Sequence, residues 1–174
     1  PNNPTGNCQE KDAIEKILSS FPGIVLLDEA YIDFAGKPSF KDLIDEFPNL
    51  IVMQTMSKAF GMASVRVGIA FADPAIIRYF NKMKPPYNIS TINQKTVLKR
   101  LSDISSYKKQ VSKIVEERER LSIEIRRMQV VQKVYPSDAN FLLVRFSDAD
   151  QVYNYLTSKG IIVRNRSRAV DNCL

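Results

Sequence analysis

Residues 24–34, IVLLDEAYIDF, end an apolar run with two carboxylates and a phenol: Asp28, Glu29 and Tyr31. Two chemistries use an acid at the mouth of such a run. One is a magnesium-nucleotide site, in which a strand-end Asp holds the metal and a Glu orients water. The other is a cofactor site, in which a carboxylate keeps a ring nitrogen protonated. The nucleotide reading needs a phosphate loop. The Gly36-Lys37 pair is followed by Pro38 instead of Ser or Thr and lacks the glycine five residues earlier. Within these residues the first reading has no partner.

The second reading has several. In TMSKAFGMASVRVG, residues 55–68, Lys58 stands among small residues, with the hydroxyls of Thr55 and Ser57 beside it and Arg66 eight positions on. A primary amine is what an aldehyde cofactor needs for covalent attachment, and a guanidinium fork suits a dianionic phosphate better than a point charge does. Pyridoxal phosphate carries both groups. It draws electrons well only while its ring nitrogen stays protonated, and Asp28 has the chemistry for that task. Tyr31, or an Asn amide from the opening PNNPTG, can donate to the phenolate oxygen of the ring. Each piece alone is ordinary, since Ser-Lys is common at surfaces, a strand-end Asp is often a turn or helix cap, and NPTG is often only a turn. The ordered set carries the argument.

The totals narrow the alternatives. Histidine is absent and the two cysteines, Cys8 and Cys173, lie far apart, which argues against a zinc site and against Ser-His or Cys-His catalysis. With 44% hydrophobic and 25% charged residues and no apolar run of about 18, the chain reads as soluble and globular, without a membrane span. The net charge of +6 comes from 25 basic residues interleaved with 19 acids, a solvated surface and not a nucleic-acid footprint. Arg164, Arg166 and Arg168 form the one local cluster. No signal peptide is visible, so the cytoplasm is the default compartment. PNNPTGN opens without methionine and DNCL stops without a cap, so a piece of a longer protein is expected.

These residues need elements to hold them. A helix is expected over 11–20, a buried strand over 24–27, a short helical piece over 41–46 and a second strand within NLIVMQTMS. Lys58 follows Asp28 by 30 residues, the length of one crossover unit, which would bring both to one edge of a parallel sheet where ligands bind. VRVGIAFA reads as a third strand and 73–82 as a helix. KPPYN reads as a rigid turn that can hold a cis bond at Pro86. The 3-4 spacing of Ile104, Tyr107, Val111, Ile114, Leu121, Ile125 and Met128 predicts a helix of about 38 Å at 1.5 Å per residue. VQKVY, NFLLVRF and GIIVR then read as strands, with a helix over 148–158 ending at Gly160.

NNPTG, LLDEAY, TMSKAFGMASVRVG and GIIVRN, in that order and with similar gaps, resemble the fold type I pyridoxal phosphate-dependent aminotransferases. The resemblance implies an α/β fold: residues 1–102 as the C-terminal half of the large cofactor-binding domain, 103–128 as a long connecting helix, and 129–174 as an incomplete small domain. It implies pyridoxal 5'-phosphate, with Lys58 holding the cofactor and moving protons, and Asp28 paired with the ring nitrogen. Tyr31 and Asn3 would then meet the phenolate oxygen, and Thr55, Ser57 and Arg66 the phosphate. Arg164 matches an arginine that faces the acidic end of the substrate. DEAYIDFA, KPPYNIS and GIIVRN point within the family to a phosphorylated amino alcohol, exchanged against glutamate and 2-oxoglutarate. An aromatic aminotransferase, a threonine-phosphate decarboxylase and a non-catalytic effector domain are the alternatives. The resemblance also implies a homodimer whose sites borrow residues from the neighbour, so these 174 residues alone are expected to turn over little.

Overall fold

The computed structural model describes residues 1–174. In chain order the elements are α1 (Lys11–Ser20), β1 (Val25–Asp28), β2 (Leu50–Thr55), β3 (Gly68–Ala72), α2 (Pro74–Met83), α3 (Thr91–Leu101), α4 (Ile104–Arg126), β4 (Val131–Val134), β5 (Val144–Phe146) and α5 (Ala149–Ser158). The chain divides into two compact units: Gln9–Val111, and Pro1–Cys8 with Ser112–Leu174. No helix is long and apolar enough to cross a membrane.

In the unit Gln9–Val111 the sheet order is β1-β2-β3. β1 and β2 run parallel, with Asp28 beside Met53, while β3 runs antiparallel to β2, with Gly68 beside Thr55. The connection from β2 to β3 holds only short turns and no crossover helix, so the chain doubles back. Side chains alternate across a strand. That alternation puts Val25, Leu27, Leu50, Val52 and Phe71 on one face, where they pack with Leu18 and Ile14 of α1 and with Phe40, Ile44 and Phe47. On the other face Leu26 is 50% exposed and Met53 37%. Ile51, the partner of Leu26 on that face, is 5% exposed, so the second face is covered at Ile51 of β2 and open at Leu26, and the expectation that β1 is buried on both faces holds for one face only.

Local chemistry sets the helix ends. Asp73 accepts from the Ala75 amide at 2.7 Å with Pro74 in the first turn, and Ser90 accepts from the Asn93 amide at 3.2 Å. The piece expected over 41–46 is instead one 3-10 turn, Phe40–Leu43. The cis peptide bond lies at Asn3–Pro4 and not at Pro86.

Glu29 is the buried acid of this unit, at 5% exposure. Its carboxylate accepts from Ser39 Oγ at 2.5 Å, the Phe40 amide at 2.8 Å and Gln54 Nε2 at 2.9 Å, and its own amide donates to the Met53 carbonyl at 2.8 Å. One side chain thereby ties the end of β1 to β2 and to the 36–40 loop. Glu29→Ala would strand those donors, so a loss of about 2–4 kcal/mol of stability is expected in a denaturant titration. A change below about 0.5 kcal/mol would contradict a structural role for the carboxylate.

In the other unit, β4 and β5 pair antiparallel with a bulge between Val131 and Lys133. Val134, Val144, Phe146 and Ala149 form its core, with Ile125, Leu142, Val152 and Leu174 packed against them. Asp148 caps α5 by accepting from the Gln151 amide at 2.9 Å, and Gly160 follows at φ +75°. The strand expected at GIIVR does not form. Ile161 and Ile162 are 52% and 89% exposed, and the chain end takes the place beside β5: Val144 and Leu174 exchange amide-carbonyl bonds of 3.0 Å in both directions. The strand expected over 140–146 shrinks to Val144–Phe146.

Candidate cofactor site

Asp28 is the last residue of β1, and Lys58 lies three residues past the end of its parallel neighbour β2. Both thus emerge at the carboxyl edge of the same strand pair. Asp28 is exposed, and its Oδ1 accepts from the Ala30 amide at 2.9 Å. The chain then turns through Tyr31 into the short helical turn Ile32–Phe34, where Phe34 is 2% exposed and anchors the loop.

The turn carrying Lys58 is pinned on both sides. Met56 donates its amide to the Val67 carbonyl at 3.1 Å and Met62 donates to the Met56 carbonyl at 3.0 Å. Met56, Val65 and Val67 are buried together, with Phe60, Met62, Ile89 and Val97 against them. Inside that frame Gly61, at φ +69°, donates to the Lys58 carbonyl at 3.0 Å, a backbone shape that favours glycine. Lys58 itself is exposed, and its Nζ lies 5.2 Å from the centroid of the Tyr31 ring. The amine and the phenol read from separate stretches are therefore neighbours.

Thr55 Oγ1 accepts from the Ser57 amide at 3.1 Å and donates to the Val67 carbonyl at 3.4 Å. Arg66 is held at φ +53°, a left-handed conformation that costs a non-glycine residue about 1 kcal/mol, and its Nη1 donates to the Ala63 carbonyl at 3.0 Å. Strain of this kind persists where the surroundings impose it and is frequent at ligand clamps. Amine, hydroxyls and an exposed guanidinium on one short stretch suit an aldehyde that also carries a dianionic phosphate.

Asn3 and Arg164 belong to the other unit. The PNNPTG turn is closed by bonds from the Gly6 amide to the Asn2 carbonyl at 2.7 Å and from the Asn2 amide to the Asn7 carbonyl at 3.0 Å. It is fastened to residues 137–138 by the Asp138 amide on the Gly6 carbonyl and the Cys8 amide on Asp138 Oδ2, both 2.8 Å. Gly6 sits at φ +80°, and a β-carbon there would come within 2.6 Å of Ser137 Oγ. Arg164 is exposed. Arg166, read from the sequence as surface, donates from Nη2 to Asn3 Oδ1 at 3.1 Å, which sets the amide of Asn3 with its oxygen toward the arginine. Sequence reasoning missed this pairing, because a separation of 163 residues leaves no local signal.

A family model described as "Aminotransferase class I and II" matches residues 1–174. The histidinol-phosphate aminotransferase of Parabacteroides distasonis is 51% identical over 173 residues, covering 99% of this chain and 50% of that protein. Among solved structures, the histidinol-phosphate aminotransferase of Clostridium acetobutylicum superposes with a TM-score of 0.91 at 25% identity, covering 99% of this chain and 55% of that one. The Sinorhizobium meliloti histidinol-phosphate aminotransferase, solved in complex with pyridoxal-5'-phosphate, gives a TM-score of 0.87 at 28% identity, covering 99% and 49%. The chain spans about half the length of the curated relatives it matches.

Proposed function

We propose, from the premise that this chain belongs to the class I and II aminotransferase family, that the protein carrying it is a pyridoxal phosphate-dependent transaminase. It exchanges the amino group of L-histidinol phosphate with 2-oxoglutarate, giving imidazole acetol phosphate and glutamate, a step of histidine biosynthesis. The observation that carries the reading is the neighbourhood of Lys58 and Tyr31 at the strand edge that also ends in Asp28. Relatives and solved neighbours bearing the histidinol-phosphate name support the substrate.

When bound, pyridoxal phosphate supplies an electron sink for charge developing at the substrate carbon that bears nitrogen. The residues of the chain do the rest. Lys58 would hold the cofactor through its amine and would serve as the base that takes and returns the proton at that carbon. Asp28 keeps a proton on the ring nitrogen. Tyr31 would donate to the phenolate oxygen, a role the resemblance also implies for Asn3, while Thr55, Ser57 and Arg66 would hold the phosphate by hydroxyl and guanidinium donors. Arg164 faces the acidic end of the substrate, a phosphate in one half-reaction and a carboxylate in the other. A homodimer is the assembly in which this site is complete.

The substrate is tested by kcat/KM with glutamate as donor against a panel of keto acceptors. Imidazole acetol phosphate is expected to exceed phenylpyruvate by about 100-fold or more, since a dianionic phosphate pairs more strongly with a guanidinium fork than the single carboxylate of an aryl keto acid does, and the aryl ring meets none of the polar contacts made to an imidazole. Equal use of the two would overturn the substrate assignment and leave the aminotransferase reading standing.

A further inference from the structure

The loop carrying Tyr31 and the turn carrying Lys58 follow different strands, yet one residue at the start of α4 touches both excursions. Tyr107 Oη donates to Asp33 Oδ1 at 2.5 Å, two residues past Tyr31. The ring of Tyr107 stacks on Phe60, two residues past Lys58, with centroids 4.3 Å apart and planes 16° from parallel. Phe60 lies inside the closed turn between Lys58 and Gly61, and its carbonyl accepts from Arg100 Nε at 3.3 Å. Arg100 is held in turn by Gln110 Oε1 at 2.6 Å, one turn of α4 beyond Tyr107. All of these residues lie in the unit Gln9–Val111.

We propose that Tyr107 is a positioning residue of the cofactor site: its hydroxyl grips Asp33 and its ring grips Phe60, and together they fix the separation of Tyr31 from Lys58. The inference rests on the reading of Tyr31 and Lys58 as cofactor ligands. Neither turn is part of a sheet ladder at these positions, so a rigid helical partner supplies the restraint the strands do not. A shift of about 1 Å between two groups that must meet one flat ring is enough to cost about 100-fold in rate. Burial, then the hydrogen bond and the charge of Asp33, hold the Tyr107 hydroxyl protonated well above the usual phenol range. Because the folded value is raised, the contribution is complete below the ordinary phenol value of about 10 and fades only as pH climbs through the folded one. The donor is present throughout the working range.

The test uses the full-length protein, three single variants, the double variant Tyr107→Phe/Asp33→Ala and a Lys58→Ala control. Tyr107→Phe keeps the stacked ring and drops the hydroxyl, Asp33→Ala removes the acceptor, and Asp33→Asn restores a carbonyl acceptor. Two quantities are read: the dissociation constant of pyridoxal phosphate from the apoprotein by fluorescence, and the pH midpoint of the bound cofactor's absorbance. Tyr107→Phe and Asp33→Ala are each expected to weaken binding by about fivefold, with the double variant no worse than either and Asp33→Asn within about twofold of wild type. The midpoint is expected to rise by about half a pH unit, because a displaced Tyr31 donates less well to the phenolate oxygen. Lowered melting temperature with unchanged affinity and midpoint in Tyr107→Phe would overturn the proposal, as would additive effects. The Asp33 pair reads the same bond from its other end, so it decides the matter if Tyr107→Phe fails to fold. Lys58→Ala serves as control: if its cofactor stays covalently fixed, the ligand reading itself falls, whereas a silent Tyr107→Phe beside a Lys58→Ala that holds no covalent cofactor removes only the positioning role.

Discussion

Lys58→Ala is expected to lower transamination by at least about 10³-fold, from loss of the group proposed to move the proton at the substrate carbon. The position has a small structural role. Lys58 is exposed, its side chain approaches the Tyr31 ring at 5.2 Å, and the turn is closed by backbone bonds that any residue keeps. The melting temperature of the apoprotein is therefore expected to move little while turnover collapses, a split that ordinary surface lysines do not produce. Borohydride reduction followed by denaturation and mass measurement gives a second readout. The wild-type protein is expected to retain cofactor on the peptide containing Lys58, and the Ala variant to retain none. Lys58→Arg offers no rescue, because a guanidinium stays protonated and cannot serve as amine or base. Activity within about tenfold of wild type would remove Lys58 from the chemistry.

The strand edge was legible because two simple signals agree there. An apolar run ending in Asp28 and a second ending near Lys58, one crossover apart, predict parallel neighbours, and β1 and β2 are parallel. The helix over 11–20 and the long helix beginning at Ile104 were legible from periodicity. GIIVR misled because β-branched residues satisfy strand propensity, but propensity supplies no pairing partner: residues 172–174 occupy the edge beside β5, and GIIVR pairs with neither strand. Tyr107 illustrates the other limit. Its 3-4 spacing fits a core position on α4, and nothing local reveals that its hydroxyl reaches an acid 74 residues away. The sequence offers Glu29 only the water-orienting role of the nucleotide reading, although the fold buries Glu29 and exposes Asp28. Alternation along a strand end sends successive side chains to opposite faces, so one of two adjacent acids is structural and the other is presented outward.

Asp28→Asn is expected to lower kcat by about 10² to 10³-fold, and it separates the two things an acid can do at a strand end. Asp28 Oδ1 accepts from the Ala30 amide at 2.9 Å, a turn that an asparagine oxygen closes equally well. If the turn were the whole role, Asp28→Asn would be silent and Asp28→Ala would destabilise the loop leading to Tyr31. The aminotransferase reading predicts the reverse weighting. A neutral amide cannot keep a proton on a pyridine nitrogen, and two unit charges about 4 Å apart in a site of effective dielectric about 20 interact by about 4 kcal/mol, enough for the rate loss above. Asp28→Glu keeps the charge on a longer arm and should recover part of the activity. Lys58 remains in place in all three variants, so each should still hold cofactor covalently, and the loss should appear in kcat with the half-reaction slowed. Asp28→Asn with kcat within about threefold of wild type would leave the carboxylate as a turn residue and take the ring-nitrogen contact away from it.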